Sequence, residues 1–219
     1  MIRKTGRYAA HGPEAEFEPG SRGRVLRNLR GIRSVRAMAK AESDALLEAQ
    51  ERLVDAFSAE HRFAAADIRE IHRNWLGTIY PWAGEYRSVN IAKGDFHFAA
   101  AREVPRLMDE FERRHLAQHT PCRPAPEPEM ARALAIVHAE LVLIHPFREG
   151  NGRCARLLAL LMAFQGRLPP LDFAVLTEAG GKHYIAAIHA AMGGDYDPMS
   201  ALFSAVIRRS YDRLAQPGR

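Results

Sequence analysis

The amino-acid sequence predicts a mostly helical protein with one domain, and three observations lead to that fold class. Apolar residues recur at helical spacing in seven long runs. Hydrophobic residues make up 47% of the 219 residues, which is enough to bury a full core. Neither an internal repeat nor a low-complexity segment is present. The seven predicted helices lie around residues 41–57, 64–79, 104–115, 127–144, 151–165, 182–192 and 198–214.

Two of these helices flank a loop that carries most of the candidate chemistry. Pro146 ends the helix at 127–144, because the residue before a proline is disfavoured in the helical region. Gly166 marks the end of the helix that starts near Asn151. The loop and the first helical turn contain His145-Pro146-Phe147-Arg148-Glu149-Gly150-Asn151-Gly152-Arg153, followed by Arg156.

The start of the second helix has the features of an anion site. Its unpaired N–H groups carry the positive end of the helix dipole, and Gly150 and Gly152 allow a ligand to approach the backbone closely. Arg153 and Arg156 lie near this end on one helix face, where a cation is disfavoured by ~0.3–1 kcal/mol. A negative partner is therefore expected, and we infer that a polyphosphate supplies it.

Glu149 and His145 complete the predicted site. A carboxylate repels a neighbouring polyphosphate unless it holds a cation, so we predict that Glu149 binds Mg²⁺ together with the phosphates. His145, at the end of the preceding helix, is left as a general base. The alternative is that Glu149 pairs with the arginines on a solvated surface and His145 is an ordinary helix-end histidine. The concentration of the whole set in twelve positions favours the site.

A β-hairpin is predicted ahead of the third helical run. Apolar residues alternate with polar ones over residues 89–91 and again over 96–98, and Lys93-Gly94-Asp95 between them is a turn sequence. We expect a lone hairpin with an open edge, which can recruit an extended segment of another protein by β-strand addition. That would place a hydroxyl beside His145. The alternative is a covered structural ribbon.

The positive charge is concentrated at the start of the chain. Residues 1–36 hold nine Lys or Arg against three Glu, a surplus of six, whereas the whole chain carries +5. We treat residues 1–36 as a basic lead-in, in which a solvated face is favoured over a basic stripe for an acidic partner or nucleic acid. Nucleic-acid binding is the least favoured function, because no aromatic stacking set accompanies the arginines. The recurring arginines are Arg24, Arg27, Arg30, Arg33 and Arg36.

The cysteines and the hydropathy pattern indicate a cellular compartment. Cys122 and Cys154 show no metal-ligand spacing, and so few thiols suit a reducing compartment. Neither a signal peptide nor a membrane-spanning run is evident, so no membrane partner is expected. We expect a cytoplasmic protein.

The sequence HPFREGNGRCAR at residues 145–156 resembles the signature of the Fic family. It fills every fixed position of the pattern His, any residue, Phe, any residue, Asp or Glu, Gly-Asn-Gly-Arg, any two residues, Arg. Residues 80–98 are similar to the segment that leads into the family's flap. The resemblance implies a Fic-type helical bundle over residues 37–219. It also implies a short β-hairpin flap at about residues 86–100, beside the active-site loop 145–156.

The resemblance also implies an activity. Most Fic proteins are adenylyltransferases that move AMP from ATP to a Ser, Thr or Tyr hydroxyl of a target protein and release pyrophosphate. By motif position, His145 is the base for the target hydroxyl, Phe147 the core anchor of the loop and Glu149 the Mg²⁺ ligand. Arg153 is placed on the β-phosphate side and Arg156 near the γ-phosphate. The residues assigned to nucleotide binding are Lys93, Gly94, Asp95, Gly150, Asn151, Gly152, Arg153 and Arg156.

The resemblance further implies how such a protein is controlled. Many Fic proteins carry an inhibitory helix with Ser or Thr, any three residues, Glu, then Gly or Asn, and that pattern is not found here, because Ser43 to Glu48 is one residue too long. The implied control is a separate small antitoxin. The chain then resembles the toxin of a bacterial toxin–antitoxin pair, a group whose known targets include type II topoisomerase subunits. An effector that is translocated into a host cell is the other implied role.

Two alternatives remain for the chemistry of the loop. A reversed nucleotide would offer its γ-phosphate to His145 and make the protein a phosphotransferase. The family's kinase-like branch has Ala-Asn-Lys-Arg where this chain has Gly150-Asn151-Gly152-Arg153, so Gly152 favours AMP transfer. The other alternative is a non-catalytic module that binds nucleotide without turnover, which an intact His145 disfavours.

Overall fold

The computed structural model describes residues 9–11, 14, 16–94 and 96–216 and has a helical architecture with one small antiparallel sheet. The predicted mostly helical class is confirmed, and each of the seven predicted runs contains a helix. The strands are β1 (Ala9–His11), β2 (Asn90–Lys93) and β3 (Phe96–His97). The helices are α1 (Val35–Ala56), α2 (Ala65–Leu76), α3 (Val104–Phe111), α4 (Ala117–His119), α5 (Glu127–Ile144), α6 (Asn151–Gln165), α7 (Lys182–Ala191) and α8 (Asp197–Ala215).

Helix α5 runs through the centre of the core. It packs against α3, α6, α7 and α8, and its side chains are buried on nearly every face. A helix that is apolar all round is stable only when other elements surround it. The sequence of α5 therefore accounts for its central position, which also brings its C-terminal end, at His145, next to the start of α6.

The ends of the helices follow local signals. Ser34 caps α1, since its hydroxyl accepts a hydrogen bond from the N–H of Ala37 at 3.4 Å. The helix therefore starts at Val35, before the apolar run that predicted it. The segment after α3 continues as a π-helical turn, Glu112–Leu116, into α4.

The hairpin is confirmed, but its expected isolation is wrong. Strands β2 and β3 pair antiparallel, with Ala92 opposite His97, and β1 pairs with the other edge of β2, with Ala10 opposite Ile91. The sheet order is β1-β2-β3, so a strand of the same chain covers the outer edge of β2. The sequence carried no signal for this pairing, because β1 lies about 80 residues away and alanine has low β-propensity.

The basic lead-in is attached to the rest of the molecule by individual hydrogen bonds. Arg27 lies 3.3 Å from Glu16, and Arg30 donates to the carbonyl and hydroxyl oxygens of Thr78. The described part of the lead-in contains no α-helix before Val35, so its arginines do not form a helical stripe. Near its start, the Glu14 carboxylate accepts from the N–H and hydroxyl of Ser88.

Among the described residues, no helix is both long and apolar enough to cross a bilayer.

Glycine is required at the junction between α5 and α6. Gly150 has φ +84°, in the left-handed region that disfavours other residues. A Cβ atom at this position would lie 2.7 Å from Cζ3 of Trp75, which is fully buried. At Gly152, the second residue of α6, no heavy atom outside the local backbone lies within 4 Å of a Cβ built in the same way. Position 150 therefore excludes a side chain, whereas position 152 has room for a methyl group.

We predict that Gly150→Ala destabilises the fold by about 2–5 kcal/mol, because it adds backbone strain and forces Trp75 to move. Gly152→Ala is the matched control and should cost little, since its methyl group enters open space. Urea denaturation of both variants measures the difference. Equal stabilities would show that Trp75 and the backbone relax freely around position 150.

Two buried histidines are held in the neutral state. His72 and His138 are both fully buried. Burial lowers the pKa of His72 from 6.5 to about 4 and the pKa of His138 to about 3, since neither imidazolium can be hydrated. Between these values and 6.5, the unfolded chain binds protons that the folded chain does not. The stability that neutral burial provides is therefore complete above pH 6.5 and is lost as the pH falls.

We predict that the free energy of unfolding falls between pH 6.5 and 4 with a slope of up to about 1.4 kcal/mol per pH unit for each of the two histidines. Urea denaturation across this range measures the slope. His138→Gln removes one titrating group and should reduce the slope by up to about 1.4 kcal/mol per pH unit. A slope that is unchanged in His138→Gln would contradict the role of this residue.

Candidate active site

His145 follows the last residue of α5 and opens the His145 loop (residues 145–150). Its backbone is left-handed, with φ 54° and ψ 58°, a conformation that is uncommon for a residue other than glycine. The ring Nδ1 lies 2.8 Å from the carbonyl oxygen of Val142. A carbonyl can only accept, so Nδ1 carries the proton and Nε2 is the ring nitrogen with the lone pair. Phe98 stacks on the imidazole with ring centroids 3.7 Å apart.

The His145 loop is closed by Asn151, the first residue of α6. Its side-chain oxygen accepts from the N–H of Phe147, and its side-chain nitrogen donates to the carbonyl of Phe147, both at 2.8 Å. Phe147 is fully buried, in agreement with the expected core anchor. The side-chain amide of Asn151 thus shapes the loop, while its backbone forms the start of α6.

His72 supports the same loop from α2, and the sequence analysis missed it. The N–H of Gly84 donates to His72 Nδ1 at 2.9 Å, so the proton resides on Nε2, which donates to the carbonyl of Glu149 at 3.1 Å. The imidazole also stacks on Phe147 with ring centroids 3.8 Å apart. A buried neutral histidine therefore connects the loop to α2.

The N-terminal end of α6 offers unpaired backbone donors. Gly150 ends the loop, and the first N–H groups of α6 have no helical carbonyl to bond. The Glu149 carboxylate accepts from the N–H of Gly150 at 3.0 Å and is mostly buried. These backbone donors, together with the helix dipole, form an anion-binding end.

Arg153 already has a negative partner within the chain, which was not predicted from the sequence. Its Nη1 lies 2.7 Å from Oε2 of Glu42, and its Nη2 lies 3.6 Å from Oε1 of Glu149. The guanidinium also stacks over Trp75, at 4.6 Å from the ring centroid. Tyr80 donates its hydroxyl to the second oxygen of Glu42 at 2.7 Å. The sequence analysis missed Glu42, because it lies 111 positions away on α1.

A cavity of about 460 Å³ lies between α6, α7 and the hairpin. Its cationic side chains are Lys93, Arg153 and Arg156, and Glu149 is the carboxylate among its described lining residues. The apolar wall, which the sequence analysis largely missed, combines rings of the hairpin with α7. The wall contains Phe96, Phe98, Val142, Ile185 and Ile188, with Tyr184 and His189 beside them. Such a space has a charged end and an apolar end.

The structure brings most of the predicted site residues to this cavity. His145, Glu149, Gly150, Asn151, Gly152, Arg153 and Arg156 line it, and Lys93 reaches it from the hairpin. Gly94 lies in the hairpin turn beyond Lys93 and is not among the lining residues. Asp95 lies outside the described residues. The cavity can therefore hold an anion at the start of α6 and a planar or apolar group against α7.

Tyr184 is held at the wall by α5. Its hydroxyl lies 2.9 Å from Nε2 of the fully buried His138. The two residues lie 46 positions apart in the sequence, so no local pattern joins them. Since His138 stays neutral at physiological pH, it adds no charge to this end of the cavity.

Comparisons with known proteins agree with this site. The model of the Fic/DOC family matches residues 62–163. A probable protein adenylyltransferase, y4lH, of Sinorhizobium fredii is 33% identical over 141 residues, which are 62% of this chain and 69% of the relative. The protein adenylyltransferase fic-1 of Caenorhabditis briggsae is 37% identical over 140 residues, which are 63% of this chain and 26% of the relative. The chain spans only about a quarter to a third of the length of the fic-1 relatives of two Caenorhabditis species and of the Fic relative of Nematostella vectensis.

The architecture is also that of a solved structure. The BepC protein of Bartonella tribocorum, a VirB-translocated effector crystallised with bound AMPPNP, superposes with a TM-score of 0.65 at 23% identity. The superposition covers 83% of this chain and 91% of that one. The family match spans α2 to α6, including the His145 loop between α5 and α6. The chain belongs to the Fic/DOC family.

Proposed function

We propose that this protein is a protein adenylyltransferase, which transfers AMP from ATP to a Ser, Thr or Tyr hydroxyl of a target protein and releases pyrophosphate. The observation that carries the proposal is the position of His145, whose hydrogen bond to Val142 leaves the lone pair on Nε2. The same imidazole lines the cavity at the start of α6. A base beside an anion site is the arrangement that hydroxyl attack on a phosphate requires. Relatives named protein adenylyltransferases support the assignment.

The proposed reaction uses His145 once for each transfer. Nε2 accepts the proton of the target hydroxyl as the hydroxyl oxygen bonds to the α-phosphorus of ATP. The bond from the α-phosphorus to the oxygen that bridges to the β-phosphorus breaks, and pyrophosphate leaves with that oxygen. The proton on His145 is then released to solvent. A neutral imidazole is suited to this role near pH 7.

We propose that the phosphates bind at the N-terminal end of α6. Backbone N–H groups near Gly150, Asn151 and Gly152 stabilise the charge that develops in the transition state without reorganising. Arg156 lines the same cavity and supplies a second cation beyond Arg153. Because Glu42 already orients Arg153, a phosphate meets a guanidinium whose direction is set in advance.

The residues present also fit a bound Mg²⁺. Glu149 brings a mostly buried carboxylate into a cavity that otherwise gathers cationic side chains, and a carboxylate beside phosphates is stable with a metal between them. Mg²⁺ commonly binds through one or two carboxylates, the substrate phosphates and waters. When bound, the ion would neutralise phosphate charge and orient the pyrophosphate leaving group. Glu149 is the residue we propose to hold it.

The apolar end of the cavity is proposed to hold the adenine base. The α7 wall with Ile185 and Tyr184 presents flat and apolar surface, and Phe96 faces His189 in a stacked arrangement at 5.7 Å. Lys93 lines the same cavity and is proposed to contact the nucleotide. In this binding mode the triphosphate extends from the base toward the start of α6.

The target protein is proposed to dock on the flap (residues 86–100). The outer edge of β2 is bonded to β1, whereas the other edge of β3 carries no strand within the part of the chain that the structure describes. An extended segment added at β3 would run beside Phe98, whose ring contacts His145. Type II topoisomerase subunits are the target that the family resemblance implies.

Control by a separate small antitoxin, and hence a toxin role in the bacterial cytoplasm, belongs to the same proposal. Ser43 and Glu48 lie on α1, but Glu48 is largely exposed and lies 3.6 Å from Arg52, one helical turn away. It does not reach the cavity. The glutamate of α1 that reaches the site is Glu42, which pairs with Arg153 rather than Arg156.

We predict that His145→Ala reduces transfer of the α-phosphate label of ATP by about 100-fold or more, because the proton acceptor is lost while the phosphate contacts remain. The measurement is labelling of bacterial lysate with ATP labelled at either the α- or the γ-phosphate, together with calorimetric ATP binding. His119→Ala, far from the cavity, is the matched control and should label like the wild type. A γ-labelled band would indicate a kinase, and absence of both labels would indicate a binding module. Equal loss of labelling and ATP binding in His145→Ala would contradict the proposed base.

We predict that Glu149→Gln raises the Mg²⁺ concentration for half-maximal transfer by about tenfold or more, because the amide still accepts from Gly150 but no longer attracts a cation. Excess Mg²⁺ should restore part of the activity. Titration of Mg²⁺ at fixed ATP measures the shift, with Glu48→Gln on the surface of α1 as the control. A wild-type activity that survives chelation would rule out this role of Glu149.

A further inference from the structure

Arg87 occupies an unusual position for a charged residue. It is almost fully buried, at 2% exposure, in the segment that leads from α2 to β2. Its three guanidinium nitrogens each donate to a backbone carbonyl: Nε to His145 at 2.8 Å, Nη1 to Val89 at 2.9 Å and Nη2 to Ala99 at 2.6 Å. Its own N–H donates to the carbonyl of Pro146 at 2.8 Å. One residue thus makes four hydrogen bonds to three separate parts of the chain.

The three carbonyls belong to the parts that form the site. Val89 stands just before β2 and Ala99 follows β3, so the guanidinium spans both stems of the flap. His145 and Pro146 begin the His145 loop. Because a guanidinium is planar and donates in several fixed directions, it can bond all three acceptors at once. A lysine ammonium at the same depth can reach fewer of them.

The charge on Arg87 is retained despite burial. Burial lowers the pKa of Arg87 to about 10, and the nearby Glu14 carboxylate acts in the opposite direction. Three carbonyl oxygens also face the cation. Hydrogen bonds from a charged donor are stronger than those from neutral donors, so the three contacts are expected to hold the carbonyls firmly in position.

The hydrogen bond from Arg87 holds the backbone carbonyl of His145, and the backbone determines where the imidazole ring lies. His145 has a left-handed backbone, which a non-glycine side chain disfavours, and surrounding contacts must hold it there. Arg87 holds the carbonyl of that same residue. Phe98, directly before the Ala99 carbonyl, stacks on the imidazole. The guanidinium therefore fixes both the backbone that carries the ring and the flap residue that packs on it.

We propose that Arg87 is the positioning residue that joins the flap to the general base, so that a hydroxyl presented on the flap meets Nε2 of His145. The role of Arg87 in catalysis rests on the proposed function. It assigns to Arg87 no contact with ATP or the target. Its effect passes through the backbone of His145 and through Phe98.

The test compares Arg87→Lys with Arg30→Lys. Arg30 also donates to a backbone carbonyl, that of Thr78, but lies outside the cavity. We expect Arg87→Lys to lower the rate of α-label transfer by about tenfold to 100-fold while calorimetric ADP binding is unchanged. Arg30→Lys should change neither quantity. A general loss of structure would weaken both transfer and ADP binding.

A second measurement does not depend on activity. In protein with ¹⁵N-labelled histidine, the ring signals of His145 are identified by their absence in His145→Ala. The wild type should show a proton on Nδ1, and Arg87→Lys should show a mixture of the two tautomers as the bond to Val142 loosens. Wild-type ring signals and wild-type transfer in folded Arg87→Lys would overturn the proposal.

Hydrogen exchange in the wild type tests the proposal even if Arg87→Lys does not fold. The N–H of Arg87 is bonded to Pro146, and that of Phe98 to Ile91. If one guanidinium joins loop and flap, both amides should open together with equal protection. Independent opening would overturn the proposal. If the wild type transfers no label, the proposed function fails, whereas the ring signals and the exchange still decide whether Arg87 joins flap and histidine.

Discussion

The arrangement of the site depends on how the chain passes from α5 to α6. Two hydrogen bonds between the Asn151 side chain and the backbone of Phe147 close the His145 loop, and burial of Phe147 against His72 attaches that loop to the core. With this closure, the end of one buried helix and the start of another lie side by side. A histidine at the first and an anion-binding end at the second then share one cavity. The loop leaves little freedom, because Gly150 packs against Trp75.

Charge is arranged around this loop in two layers. Near the cavity, cationic side chains and the positive end of α6 face a single carboxylate, Glu149, among the described lining residues. Behind it, Glu42 and Tyr80 hold Arg153 from the side of α1 and α2. Removing one partner of a buried pair leaves the other charge uncompensated, which typically costs about 3–5 kcal/mol. Glu42 therefore supports the fold as well as the direction of the guanidinium.

The flap is connected to the same centre by backbone contacts. Its stems bond to Arg87, its Phe98 ring contacts His145, and β1 covers the edge of β2. The sheet is thus neither an isolated hairpin nor a fully covered ribbon. Sequence alternation predicted β2 and β3 correctly, because strand alternation is a local property. It could not predict β1, whose three residues gain their strand conformation only from pairing with a distant segment.

Local patterns determined most of the fold and part of the site. The helical periodicity of the seven runs, Pro146 after α5 and the glycines around α6 act over a few residues. The sequence alone therefore determined the helices, the ends of α5 and α6 and the loop with His145 and Glu149 between them. Contacts between distant segments were decided by the tertiary structure alone. Four features depend on residues that show no regular spacing in the sequence. They are the pairing of Glu42 with Arg153, the support of the His145 loop by His72, the three carbonyls bonded to Arg87 and the α7 wall. Only the packing of helices around α5 brings them within bonding distance.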